Sequence, residues 1–332
     1  MINSSLTKKD IDRILDNCIY GEIKLLYISP ERIQSTLFKE RFKKMNINFI
    51  AIDEAHCISQ WGYDFRPSYI KIATLRELKP QVPFMALTAS ATKKVILDVQ
   101  EKLFFTENNV IKQSFKRNNI HYKVINCESK ITVLKKIIQK ECTIIYVRSR
   151  KNAEKISNEL NQNGLSSNYY HAGLSNKKRS RIQTAWLNNE FPIIVSTNAF
   201  GMGIDKPDVR FVLHFGLPNS LEEYYQEAGR SGRDGKPSKA ALFFNRNDIQ
   251  NLNSLLKYRF PKRKIIQNVY QSIANNGQIA IGSGENEGVP IDITEFAQKV
   301  ELHPLTIHYA IKTLENSGYI FVSDDITSGS KL

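Results

Sequence analysis

The chain has 332 residues, with 47 lysines and arginines against 33 aspartates and glutamates, a formal net charge of +14. That length supplies about two domains with sizeable cores, and the charge favours a polyanionic partner, nucleic acid rather than a membrane, since no long apolar or amphipathic basic anchor accompanies it. Cys18, Cys57, Cys127 and Cys142 have no Cys-x-x-Cys spacing, so neither a disulfide framework nor a zinc site is indicated, and the first ten residues lack a secretory layout, so a reducing cytoplasm is expected.

In chain order, Thr7 and Asp10 form a capping pair for a helix with Ile11, Ile14, Leu15, Cys18 and Ile19 at helical spacing, closed by Gly21. Ile23 to Ser29 reads as a strand, and Ser29-Pro30-Glu31 as the start of the next helix. Phe49 to Ile52 reads as a buried parallel strand that delivers Asp53-Glu54-Ala55-His56 to a ligand crevice. Adjacent carboxylates there divide labour: Asp53 holds magnesium through water, and Glu54 polarises the water that attacks a γ-phosphate. A solvated acidic turn is the alternative. The loop from Cys57 to Pro67 interleaves Trp61, Tyr63 and Phe65 with Gln60, Gly62 and Arg66. Such rings stack on unpaired bases and arginine meets phosphate, unless Trp61 and Phe65 plug a core. A strand from Pro83 to Leu87 then ends in Thr88-Ala89-Ser90-Ala91-Thr92, small residues suited to capping the following helix.

The segment from Val110 to Lys123, with Arg117, Asn118 and Asn119, reads as an interdomain connection. Beyond it strands and helices alternate: Thr143 to Val147, Asn152 to Gln162, Tyr169-Tyr170 and Pro192 to Ser196, which implies a parallel sheet. Arg148-Ser149-Arg150 and His171-Ala172-Gly173 follow strand ends, where they meet a phosphate backbone or form solvated loops. Ser220 and Glu223 make a capping box for a helix running into Gln226-Glu227-Ala228-Gly229-Arg230-Ser231-Gly232-Arg233, and Tyr224 and Tyr225 read as core or hinge packing. Arg230 and Arg233, three apart, project from one side of a helical turn as phosphate forks, and the glycines imply close backbone approach. Lys239 to Phe244 is the last strand of this lobe. Past Asn245 the chain turns helical and basic, and the Gly282 to Gly288 loop lacks the Gly-Lys-Ser/Thr end of a phosphate cradle. From Thr294 it reads helix, turn, helix, then a strand from Tyr319 to Val322, an arrangement similar to a winged helix.

Asp53-Glu54-Ala55-His56 followed by Cys57-Ile58-Ser59-Gln60-Trp61-Gly62 resembles motif II and the aromatic-rich loop of RecQ DNA helicases, with Tyr63 where members commonly have His. Thr88-Ala89-Ser90-Ala91-Thr92 resembles motif III, and Thr197-Asn198-Ala199-Phe200-Gly201-Met202-Gly203-Ile204-Asp205 and Gln226 to Arg233 resemble motifs V and VI of superfamily two. The resemblance implies catalytic roles for Asp53, Glu54, His56, Arg230 and Arg233, and nucleotide contacts for Gly203, Asp205 and Gln226. It implies coupling through Thr88 and Ser90, and strand contacts for Gln60, Trp61, Phe65, Arg66, Ser149, Arg150, His171 and Thr197.

The expected fold is α/β: two RecA-like parallel-sheet lobes, the first incomplete, then a small helical, winged-helix-like region. The expected divisions are 1–115, 116–248 and 249–332. The resemblance implies ATP and Mg2+ as cofactors and single-stranded and junction DNA as partners, with translocation from 3′ to 5′ and unwinding in recombination and repair. No Gly-x-x-x-x-Gly-Lys-Ser/Thr occurs in the sequence. The chain is therefore expected to be an N-terminally truncated helicase with little ATP turnover alone, the alternative being a non-enzymatic DNA-binding or regulatory remnant.

Overall fold

Side-chain caps and short apolar runs set the elements of the first lobe. In the computed structural model, which describes residues 2, 6–61, 65–138, 141–201, 204–280, 283 and 288–323, Thr7 Oγ1 accepts the Asp10 amide at 3.2 Å and starts the helix Lys8–Ile19. Gly21, at φ 81°, turns the chain away after it. The apolar runs become β1 (Ile50–Ile52) and β2 (Phe84–Ala86), parallel, with Ile50 opposite Phe84 and Ile52 opposite Ala86. Phe38 and Phe42 from the helix Thr36–Lys44 and Val95 and Val99 from the helix Lys93–Lys102 join Leu15, Ile52 and Phe84 in one core.

Three local expectations fail here. Phe49 to Ile52 is not buried along its length: β1 pairs only with β2 among the described residues, and Phe49 and Ala51 are exposed. Residues 23–29 form no strand; among the described residues this lobe's sheet has only β1 and β2, so the segment has no ladder to join, and Leu25 and Tyr27 are exposed. Ser29 precedes the short helix Pro30–Ile33 but makes no side-chain cap.

The second lobe contains β3 (Ile120–Asn126), β4 (Thr143–Tyr146), β5 (Ser167–Tyr170), β6 (Ile193–Ser196), β7 (Phe211–His214) and β8 (Ser238–Phe244), in the spatial order β3-β8-β7-β4-β6-β5. The pairs β8/β7, β7/β4, β4/β6 and β6/β5 are parallel. Every residue of β4, β6 and β7 is buried, as a parallel sheet covered on both faces requires. Beside the sheet, Trp186 and Phe200 pack edge to face with ring centroids 5.3 Å apart.

The chain divides into two compact units, Met1–Lys123 with Ile131–Leu242, and Val124–Lys130 with Phe243–Leu332. The second unit has its own core of Val269, Phe296, Ala297, Ile307 and Ala310. Within it, the helices Ile293–Lys299 and Pro304–Asn316 form the expected helix-turn-helix. Residues 319–322 form no strand: they have no ladder partner among the described residues, and the Val322 amide donates to Glu315 Oε1 at 3.3 Å instead. Among the described residues no strand follows to complete a winged helix. Gly203, Tyr63 and residues 282 and 284–287 lie outside the described residues. Among the described residues no helix is long and apolar enough to cross a membrane.

Candidate functional site

The C-terminal end of β1 carries the acidic pair. Asp53 Oδ1 accepts the Glu54 amide at 2.8 Å, and Glu54 sits in the left-handed region at φ 50°, ψ 40°. A non-glycine residue held there costs about 1 kcal/mol or more, and such strain gathers at functional sites. It is fixed from both flanks: Leu87 N donates to Ile52 O at 2.8 Å, Ala55 N to Leu87 O at 2.9 Å, and Cys57 N to Glu54 O at 2.9 Å. The turn aims the carboxylate. Glu54 Oε2 lies 3.3 Å from Nδ1 of buried His56, and the same nitrogen lies 3.1 Å from Thr88 Oγ1, so the residues after β1 and β2 are tied through one imidazole. Of the hydroxyls after β2, Thr92 caps the next helix through the Val95 amide, whereas Ser90 Oγ is buried without a partner.

Glu54 also meets the second lobe. Gln226, on the helix Leu221–Ala228, donates from Nε2 to Glu54 Oε1 at 3.3 Å. That helix is capped by Ser220 Oγ, which accepts the Glu223 amide at 3.0 Å. The expected reciprocal bond is displaced by one residue, since the Glu223 carboxylate accepts the Asn219 amide at 2.7 Å.

Because the helix ends at Ala228, the two arginines lie on a turn rather than on a helix face, yet both reach one loop. Arg230, buried, donates from Nη1 to Gly201 O at 2.6 Å, and Arg233 Nη1 lies 2.8 Å from Asp205 Oδ1. Arg230 Nε is buried and unpartnered. Gly232 at φ 55° makes the turn, and a Cβ there would lie 2.6 Å from both Asn119 Nδ2 and Ser238 Oγ. Arg117 Nη2 donates to Gly232 O at 2.9 Å, and Asn119 Nδ2 to Gly232 O at 2.7 Å and Lys236 O at 3.0 Å. The connection therefore holds the arginine turn, a role that local sequence does not signal because its partners lie 113 to 117 residues away. Tyr225 stacks on Tyr122 of β3 at 5.8 Å and meets Phe115 edge-on at 6.4 Å, which makes it hinge packing. Burial, assisted by Tyr225, pushes the Tyr122 hydroxyl up to about 12.

At the C-terminal ends of β4, β6 and β7, Arg148, Thr197, Asn198, His214, Asn219 and Glu227 line a cleft of about 120 Å³. Arg148 Nη2 donates to Asn219 Oδ1 at 2.6 Å, and His214 Nε2 lies 2.8 Å from Glu227 Oε2. Burial raises the Glu227 carboxyl above its usual range, opposed by the bond to His214. Ser149 caps the helix Arg150–Gln162 through the Asn152 amide at 3.1 Å. His171 is buried, with Nε2 3.0 Å from Glu154 Oε1 and Nδ1 without a partner, while Arg150 is exposed and lies over Gly173.

In the first lobe Gln60 and Trp61 are exposed, and Phe65 and Arg66 are half-buried. The Trp61 amide donates to Ser59 Oγ at 3.2 Å, and Lys94 Nζ lies 3.1 Å from the Trp61 ring centroid. Among the described residues no cluster of three or more His, Cys, Asp or Glu forms a metal cage. A single carboxylate such as Asp53 still fits magnesium, which keeps several waters and takes its remaining ligands from phosphates.

A DEAD/DEAH box helicase model matches residues 1–99 and a helicase conserved C-terminal domain model matches residues 129–235. The chain is 41% identical over 269 residues to the ATP-dependent DNA helicase RecQ of Pasteurella multocida (strain Pm70), covering 80% of this chain and 43% of that one. It is 43% identical over 252 residues to the protein of that name from Bacillus subtilis (strain 168), covering 75% and 43%. The chain thus spans less than half the length of these relatives. Among solved structures, S. cerevisiae Dbp5 bound to RNA and ADP BeF3 matches with a TM-score of 0.51 at 21% identity, over 66% of this chain and 59% of that one, a likeness of fold. Parallel-sheet lobes, both helicase models and the identity to these relatives agree: the chain belongs to the RecQ-type helicases of superfamily two.

Proposed function

We propose that this chain is part of an ATP-dependent DNA helicase, which acts in the cytoplasm on single-stranded and junction DNA and moves from 3′ to 5′ during recombination and repair. The observation that carries the reading is the bond from Gln226 to Glu54, since it puts the residue four before Arg230 against the carboxylate that follows β1. Asp53 holds magnesium through water, and the metal supplies charge neutralisation to the phosphates when bound. Glu54, turned by its left-handed backbone and steadied by His56, orients the attacking water and takes its proton. Arg230 and Arg233 leave Gly201 and Asp205 for the nucleotide, where an arginine of this kind is worth about 10³ to 10⁵ in rate. Gly203 and Asp205 link nucleotide to strand. Gln60, Trp61, Phe65 and Arg66 of the first lobe and Ser149, Arg150, His171 and Thr197 of the second meet the strand, and Thr88 and Ser90 relay its presence. The functional divisions are 1–115, 116–248 and 249–332.

The sequence carries no Gly-x-x-x-x-Gly-Lys-Ser/Thr, so no lysine-bearing nest of amides cradles the β- and γ-phosphates. The 332 residues alone accordingly bind single-stranded DNA but turn over ATP slowly or not at all. Strand binding and DNA-stimulated ATP hydrolysis, measured on the same preparation, test this. Salt-dependent binding with little turnover is expected. Robust turnover overturns the inactivity, and absence of strand binding overturns the helicase reading for this chain.

A further inference from the structure

Lys93 and Lys94 open the helix Lys93–Lys102, which has no acidic residue in its first turn. Cations are disfavoured at that end of the helix dipole, so these positions suit an approaching anion. Lys94 Nζ rests instead 3.1 Å from the ring centroid of Trp61, a residue that is 62% exposed. An ammonium on an indole face and a base stacked on it are mutually exclusive occupants of that face.

The contact also closes a circuit. Trp61 N is held by Ser59 Oγ, and Ser59 N by His56 O. The His56 ring bonds Thr88, and Thr92 caps the helix that bears Lys94. Lys94 is therefore a second link between the aromatic loop and the helix that follows the hydroxyl segment, besides the bond from Lys102 Nζ to Ile58 O.

Building on the proposed strand contact of Trp61, we infer that Lys94 is a strand-sensing residue. Its ammonium covers Trp61 in the free protein and passes to a phosphate of an incoming single strand, freeing the ring for a base. The element with two states is the lysine side chain, and each transfer changes what anchors the start of its helix.

The chain suits a fluorescence test because its two tryptophans differ completely in exposure: Trp186 is fully buried, so acrylamide quenching reads Trp61. Lys94→Ala is expected to raise quenching of the free protein. It is also expected to reduce the magnitude of the log K against log salt slope for oligothymidylate by about 0.7, one phosphate's share on a single strand. Lys94→Arg restores both. Trp61→Ala is expected to weaken binding about 5- to 150-fold, the range of one base stack. If Lys94→Ala leaves quenching and slope unchanged while Trp61→Ala weakens binding, the lysine role is overturned and the loop's strand contact stands. If Trp61→Ala binds as tightly as the unsubstituted chain, the strand contact itself falls, and the lysine role with it.

Discussion

Among the described residues the two lobes carry the same kind of sheet to different extents. β4, β6 and β7 are sealed on both faces, and their sheet extends over six strands. β1 and β2 pair only with each other among the described residues, and Phe49, Ala51, Met85 and Leu87 on or beside them are exposed. A parallel pair is the weaker ladder and normally depends on burial of both faces. The difference locates rigidity: the arginine turn stands on a finished core, while the acidic turn stands on a short one held by local hydrogen bonds and a strained glutamate.

Truncation inside each sheet gives the largest contrast. Ile194→Ala, in fully buried β6, is expected to cost about 2–5 kcal/mol, whereas Met85→Ala, on exposed β2, is expected to stay within about 0.5 kcal/mol. Urea unfolding followed by circular dichroism checks both, and equal losses would mean that the outer face of β2 is covered in solution. A smaller contrast lies in two left-handed glycines. Gly232→Ala meets side-chain atoms at 2.6 Å and the Lys236 carbonyl at 2.8 Å, while Gly21→Ala meets open space. The first is expected to cost about 2 kcal/mol or more through strain and clash, the second about 1 kcal/mol through backbone alone. Similar values for the two would show that the arginine turn yields to accommodate a methyl group.

The contrast also explains what the sequence disclosed. β1, β2, β4, β6 and the Thr7, Thr92 and Ser220 caps were legible because apolar runs and capping oxygens act within a few residues of the backbone they organise. Residues 23–29 and 319–322 have strand-like composition but no ladder partner among the described residues, and composition carries no information about partners. Asp53 and Glu54 stood out by adjacency at a strand end, but the left-handed turn that aims Glu54 depends on Leu87, and the grip of Gln226 on that carboxylate spans 172 residues. The contact of Lys94 with Trp61 and the hold of Arg117 and Asn119 on the arginine turn were not legible for the same reason: each is defined by a partner distant in sequence. The arginine pair was recognised by type, and its glycines signalled close backbone approach; the helix ends at Ala228 with Gly229 as its cap, so the pair sits on the following turn, which Gly232 shapes at φ 55°.

The smallest effect is a pH dependence confined to the second lobe. Glu227 faces His214, Glu223 and Arg230, and burial holds its carboxyl above the ordinary glutamate value of 4.5. The folded chain then binds this proton more tightly than the unfolded chain. From about pH 4.5 up to the raised value, the group's contribution to stability therefore falls as pH rises. Glu227→Gln keeps the shape and a polar contact to His214 without the ionisation. The stability difference between the variant and the unsubstituted chain is thus expected to shift in the variant's favour from pH 4.5 to pH 7, as read from urea midpoints. A difference that stays flat over that window would mean that water reaches the carboxylate behind β7, and that the second lobe is less sealed at its strand ends than at its centre.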